Sequence, residues 1–271
     1  MEMSGKVVII TGASGGIGAA TARELARRGA TVVLAARRAD ELERLKTELE
    51  SSGGRALAVQ ADVSRLEDIE RLVQTTLESC GRIDVLVNNA GLSPGKPIDA
   101  IEDERMSQVI AVNLLAPMRL TRAVVPHMRQ QGGGIIINIG SVAGEVATNS
   151  TYAASKFGLR GFNDGIRREL RQAGINVVLI APGFIRTNMT AGAKLPMPEP
   201  TVVARAVVSA IRRPRRKIVV PWYYRPLMIV AKLLPVLADL VLGSTAFQSS
   251  YRKRKQIAEQ RYREDRREIA K

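Results

Sequence analysis

The amino-acid sequence predicts an α/β protein: a single doubly wound parallel sheet of about seven strands with helices on both faces, followed by a C-terminal amphipathic helical extension. Three observations carry that prediction. Short, continuous apolar runs rich in valine and isoleucine recur along the chain, amphipathic stretches separate them, and a glycine-rich turn follows the first run at once. A strand buried on both faces has no polar side, so its apolar residues need not alternate with polar ones.

The first run, KVVIITG (6–12), leads into the helical pattern GAATARELARRG. TVVLAAR (31–37) follows, then the helical stretch ADELERLKTELESSGG, then ALAVQAD (56–62). The remaining strand candidates are IDVLVNNAG (83–91), GIIINIGS (134–141), INVVLIAPG (175–183) and RKIVVP (216–221). No internal repeat or low-complexity segment interrupts them. Residues 1–221 are therefore expected to form one domain, and 222–271 the extension.

Composition narrows the chemistry. The 271 residues include one cysteine and one histidine. A lone Cys80 excludes an internal disulfide and fits a reducing, cytoplasmic compartment. His127, near the end of a helical stretch, reads as structural. Without further histidines or cysteines, a histidine-bearing metal site or a Cys–His nucleophile pair is not expected, and no metal is predicted. The start, MEMSGKVVIITG, lacks the charged, apolar and cleavage regions of a signal peptide. Net charge is +15, yet residues 212–271 hold sixteen Lys/Arg against five Asp/Glu, so most of the excess sits in the tail. Its basic clusters lack interleaved aromatics, which argues against nucleic acid as a partner.

Three local patterns point to a nucleotide and a proton. In TGASGGIGAA, Gly12, Gly16 and Gly18 fall in the turn between strand and helix, where a bare backbone can approach a pyrophosphate. Near the end of the second strand, LAARRADEL has Ala36 where NAD-preferring proteins carry a carboxylate, with Arg37 and Arg38 next. A guanidinium fork suits a 2′-phosphate, which favours NADP(H); the alternative is two solvated arginines opening a helix. In TYAASKFG, Tyr152 stands four residues before Lys156, one helical turn, so phenol and ammonium can share a face. A free tyrosine titrates near pH ~10, and a neighbouring ammonium lowers that by favouring the phenolate.

TGASGGIG (11–18), NNAG (88–91), YAASK (152–156) and APGFIRT (181–187) together resemble the classical short-chain dehydrogenase/reductases, over residues 5 to about 190. The resemblance implies a Rossmann-type fold, an NADP(H)-preferring oxidoreductase and a catalytic set of Asn113, Ser141, Tyr152 and Lys156. It implies that Gly12, Ser14, Gly16, Ile17 and Gly18 wrap the pyrophosphate, with Arg37 and Arg38 at the 2′-phosphate. Asp62 and Val63 would cap the adenine, and Asn89, Ala90 and Gly91 would line the nucleotide. Pro182, Gly183, Ile185 and Thr187 would hold the nicotinamide, and Tyr152 and Lys156 its ribose. Asn113 would order a water linking Lys156 to solvent. The family separates its Ser and Tyr by about thirteen positions. Here the interval from Ser141 to Tyr152 is eleven, and Ser150 and Thr151 are nearby hydroxyls. The resemblance also implies a homodimer or homotetramer.

The expected substrate is an apolar ketone or secondary alcohol. Segment 188–200 is the expected lid, and Met189, Leu195 and Met197 with Leu92 and Val146 the expected apolar wall. Two other functions stay open: a 3-oxoacyl-carrier-protein reductase, and a non-catalytic NADPH-binding regulator or membrane-docked scaffold. In the tail, Arg225, Lys232 and Asp239 recur every seventh residue among Leu, Val, Ile and Met. Two prolines, Pro226 and Pro235, argue against a bilayer span and for one amphipathic helix, or two broken at Pro235. Its apolar face has three open destinations: the body or a partner subunit, a lipophilic pocket, or a membrane interface touched through 222–255. The final QIAEQRYREDRREIAK reads as a polar, frayed helix.

Overall fold

The computed structural model describes residues 3–147, 150–190 and 197–244. The chain runs β1 (Val7–Thr11), α1 (Gly16–Ala26), β2 (Thr31–Ala36), α2 (Ala39–Ser51), β3 (Arg55–Gln60), α3 (Leu66–Cys80) and β4 (Val85–Asn88). It continues with α4 (Asp103–Ile110), a π-turn over Ala111–Leu115, α5 (Ala116–Gln130), β5 (Gly134–Ile139), α6 (Thr151–Glu169) and β6 (Ile175–Pro182). α7 (Thr201–Arg212), β7 (Lys217–Val220), α8 (Tyr224–Leu233) and α9 (Pro235–Leu242) close the described chain. The seven strands form one sheet in the order β3-β2-β1-β4-β5-β6-β7, and every pairing is parallel.

Alternate residues of each strand serve opposite faces. Val8, Ile10, Val32 and Leu34 pack with Leu25 of α1, Leu42 and Leu45 of α2 and Val207 and Ile211 of α7. Val7, Ile9 and Val33 pack with Ile69 and Leu72 of α3, Leu120 and Val124 of α5 and Ile166 of α6. Each fully buried Leu or Ile contributes about 1.5–3 kcal/mol, so the two layers hold the sheet between them. The strands are shorter than the apolar runs. The fourth ends at Asn88 rather than Gly91, because the chain there leaves the ladder to bond side chains around the cleft.

Across β4, β5 and α6 lies a line of buried amides. Asn88 Nδ2 donates to Asn138 Oδ1 (2.8 Å), and Asn138 Nδ2 donates to Asn163 Oδ1 (3.0 Å). The helical stretch Asp103–Gln130 is, among the described residues, the one segment long and apolar enough to cross a membrane. Its Leu120, Val124 and Met128 are nevertheless buried in the core layer. α8 and α9 are two helices broken before Pro235, as the prolines imply.

Candidate active site

Parallel sheets open a crevice where the strand order reverses, and here that point lies between β1 and β4. A cleft of about 450 Å³ occupies it. Its floor is the turn from β1 into α1. Gly12 (φ +66°) and Gly16 (φ +53°) are left-handed there. Gly18 faces away from the cleft; a Cβ on it would overlap the carbonyl of Gly12, so its role is to let α1 close on β1. No side chain caps α1, and its first turn carries no acidic residue, whereas α2 and α3, likewise without a side-chain cap, begin with two each. The N–H groups of α1 and its partial positive charge are thus left for an anion in the cleft.

The end of β1 also organises the opposite wall. Thr11 Oγ1 accepts the backbone N–H groups of Asn89 and Ala90, both at 3.0 Å, while Asn89 Nδ2 donates to the Thr11 carbonyl (2.8 Å). Arg38 reaches across from the end of β2 and donates to the carbonyl (3.2 Å) and hydroxyl (3.1 Å) of Ser14. Arg37 and Arg38 line the cleft together with Ser14, Ile17, Asp62 and Val63. Asp62 Oδ1 accepts from the backbone and hydroxyl of Ser64, which fixes the turn after β3.

At the other end stand Ser141, Tyr152 and Lys156, with Pro182, Gly183, Ile185 and Thr187 from the segment after β6. The eleven-residue interval still brings Ser141 and Tyr152 to one cleft. Ser150 and Thr151 do not line it. Ser141 Oγ accepts from the Ala143 N–H (3.1 Å), an ST-type turn that starts the short 3₁₀ helix Val142–Gly144. Lys156 is buried, its Nζ donates to the Ile139 carbonyl (2.9 Å) and it sits 5.7 Å from the centre of the Tyr152 ring. Burial lowers its ammonium to a pKa of about 8. Gly91 lies beside it: a Cβ there would stand at ordinary contact distance, 3.8 Å from Nζ and 3.5 Å from Asn113 Oδ1.

Asn113, Val146 and Met197 lie outside the lining of the cleft. Asn113 is fully buried in the π-turn and does not line the cleft. Its Oδ1 accepts from the Leu92 N–H (2.7 Å), and its Nδ2 donates to the Leu92 carbonyl (2.9 Å) and Ser155 Oγ (3.0 Å). The side chain thereby pins the chain after β4. Val146 packs in a small cluster with Ala181, Val219 and Met228, under α8. Met197 lines a separate groove beside α1 and α2. Leu92 and Met189 do line the cleft, and Leu195 lies outside the described residues, as do 191–196 of the expected lid. The base of that segment is tied by the Arg186 N–H to the Pro198 carbonyl (3.0 Å) and by Arg186 to Glu199 (3.1 Å).

Three residues escaped the sequence reading. Gln108 and Val112 line the cleft from α4 and the π-turn. Glu145 is the third. Its side chain is 1% exposed and meets Arg160 (3.0 Å), Lys217 (2.8 Å) and Lys232. Burial opposes its ionisation, but the lysine and arginine partners prevail and hold the carboxyl below the usual carboxylate range. The partners come from α6, β7 and α8, 15 to 87 residues away in sequence, which no local pattern reveals.

Residues 6–196 match the family model described as short chain dehydrogenase. Among curated proteins, the ketoacyl reductase HetN of Nostoc sp. is 38% identical over 227 residues, covering 80% of this chain and 79% of that protein. Two crystal structures are similar throughout. A metagenomic short-chain oxidoreductase in complex with NADP shares 39% identity with a TM-score of 0.71, over 81% of this chain and 98% of that one. A short-chain dehydrogenase/reductase from Burkholderia phymatum in complex with NAD shares 26% identity with a TM-score of 0.81, over 88% and 96%.

Proposed function

Because the chain belongs to the short-chain dehydrogenase family, we propose that it is an NADP(H)-dependent oxidoreductase acting on an apolar ketone or secondary alcohol. The observation that carries this reading is Lys156, buried and fixed on Ile139 beside the Tyr152 ring, in the same cleft as the uncapped start of α1. The cleft suits a dinucleotide. Gly12 and Gly16 leave backbone bare for a pyrophosphate, and Arg38, seated on Ser14, offers a guanidinium to a 2′-phosphate.

When bound, the nicotinamide supplies or accepts hydride. The chain's own residues handle the proton. Tyr152 gives its phenolic proton to the carbonyl oxygen in reduction and takes the hydroxyl proton in oxidation. Lys156, one turn away, favours the phenolate by its charge. Ser141 donates a hydrogen bond to the substrate oxygen, its own Oγ being oriented by the Ala143 N–H. Asn113 positions Leu92, an apolar residue of the cleft wall. Leu92, Val112, Ile185 and Met189 make that wall apolar, which supports a hydrophobic substrate. Assembly as a homodimer or homotetramer goes with this reading, and Leu115 and Met118, half-exposed beside the π-turn, suit such a contact.

The name of the Nostoc relative favours one second reading, reduction of a β-ketoacyl thioester. The test is separate titration with NADPH and NADH, followed by absorbance at 340 nm with apolar ketones and with a β-ketoacyl thioester. NADPH-selective turnover that falls about 10²–10⁴-fold in Tyr152→Phe, with NADPH binding kept, is the expected result. Turnover only on the thioester selects the second reading. Tight NADPH binding with no turnover of any carbonyl in the wild type points to a non-catalytic regulator.

A further inference from the structure

α8 turns little of its surface to the protein; Met228 is its one buried residue, and α9 has none. Trp222 and Leu233 are each 73% exposed, and Leu227, Val236 and Leu240 are more than 60% exposed. α9 carries a single charge, Asp239, in eight residues. An apolar surface of this extent marks a place where something docks. The helices are not loosely held, because Tyr224 packs on Gly183 and Lys232 pairs with buried Glu145.

The neighbouring charge identifies what docks. Glu145 accepts from Lys217 at the start of β7 and from Lys232 near the end of α8. The α8–α9 junction therefore lies within two lysine side chains of the start of β7. Immediately before β7 stand Arg212, Arg213, Arg215 and Arg216, all exposed. Arg216 pairs with Asp164, while Arg212, Arg213 and Arg215 form no ion pair among the described residues. Exposed leucines and a guanidinium cluster thus meet at one edge of the molecule. A second copy docking there by a two-fold axis would bring two such clusters together and be repelled.

We propose that α8 and α9, with the arginines before β7, form a docking surface for an anionic lipid bilayer. The apolar side chains enter the headgroup–acyl boundary and the arginines engage anionic headgroups. This surface is separate from the cleft, and its use does not depend on the identity of the substrate or cofactor.

Trp222 is the chain's single tryptophan, so its fluorescence reports on this face directly. The full chain is mixed with vesicles of phosphatidylcholine, alone or with phosphatidylglycerol, and sedimented. Binding at least about tenfold stronger to the anionic vesicles, weakened by salt and accompanied by a blue shift of Trp222 emission, is expected. Leu233→Glu with Leu237→Glu, and separately Arg212→Gln with Arg213→Gln and Arg215→Gln, should each abolish most of it while circular dichroism and melting temperature stay at wild-type values. These positions are exposed, so the folded state survives their replacement. Absence of vesicle binding, equal binding to neutral vesicles, or binding untouched by either variant overturns the proposal. So does a concentration-dependent dimer that needs Leu233 and Leu237 while vesicles are ignored.

Discussion

The ring of Tyr224 lies directly on the backbone of Gly183, so close that a Cβ on the glycine would overlap it, and the Phe184 N–H donates to its hydroxyl (3.3 Å). The first turn of the C-terminal extension thereby backs the segment where the nicotinamide is proposed to sit, without itself lining the cleft. Gly183→Ala should destabilise the protein by about 1–3 kcal/mol, because the ring must be displaced. Tyr224→Ala should remove that clash, so the double variant melts above Gly183→Ala alone. Equal melting of the two would show that the ring is not the obstacle.

Lys156 should trade stability for chemistry. Its folded pKa is about 8, against about 10.4 for a free lysine. Below pH 8 both folded and unfolded chains hold the proton, and the folded state carries the full penalty of a buried ammonium. Between 8 and 10.4 the unfolded chain binds a proton that the folded one has released, so the penalty fades as pH rises. Lys156→Met should therefore raise stability at pH 7 by about 1–3 kcal/mol, abolish turnover, and lose its stability advantage by pH 10. Denaturant unfolding at several pH values reads this directly.

Glu145 should behave in the opposite sense. Its folded pKa is depressed, so its stabilisation is present above the unfolded value near pH ~4.3 and disappears as pH falls through the folded one. Glu145→Gln leaves Arg160, Lys217 and Lys232 facing one another and should lower stability at pH 7 by about 3 kcal/mol. The difference from wild type should shrink in acid. Lys232→Met, which removes a half-exposed partner and leaves two others on the carboxylate, should lower it by less than about 1 kcal/mol.

Arg38 should discriminate between cofactors. Arg38→Ala is expected to weaken NADPH about 10–100-fold and leave NADH nearly unchanged, since only the former carries the 2′-phosphate. Arg38→Asp should reverse the preference. Paired titrations of each variant with both nucleotides measure it, and parallel losses for NADPH and NADH would instead mean that Arg38 serves only to hold Ser14.

What the sequence makes legible is what short range determines. Continuous valine and isoleucine runs reveal strands buried on both sides, and the glycines before α1 reveal a turn that admits no side chains. Tyr152 and Lys156 are one turn apart, and helix geometry alone unites them. Asn113 is different. Its exposure and partners depend on the π-turn at Ala111–Leu115, which adds a residue to the helix and rotates the side chain toward Leu92 and Ser155. Val146 reads as an apolar loop residue in either location; only the presence of Met228 and Val219 beside it decides for the core. Glu145 is invisible for the same reason, since its cations arrive from three separate elements.

The buried amide line from Asn88 through Asn138 to Asn163 has a consequence for assembly of the fold. β4 and β5 are built largely from valine, leucine and isoleucine, so apolar packing alone would tolerate either strand, or α6, seated one step out of place. Breaking either amide–amide bond would leave further buried polar atoms unpaired, in addition to Asn88 Oδ1 and Asn163 Nδ2, at about 1–3 kcal/mol. The three asparagines act as a proofreading mark. They favour the alignment in which α6 delivers Tyr152 and Lys156 to the mouth of the sheet.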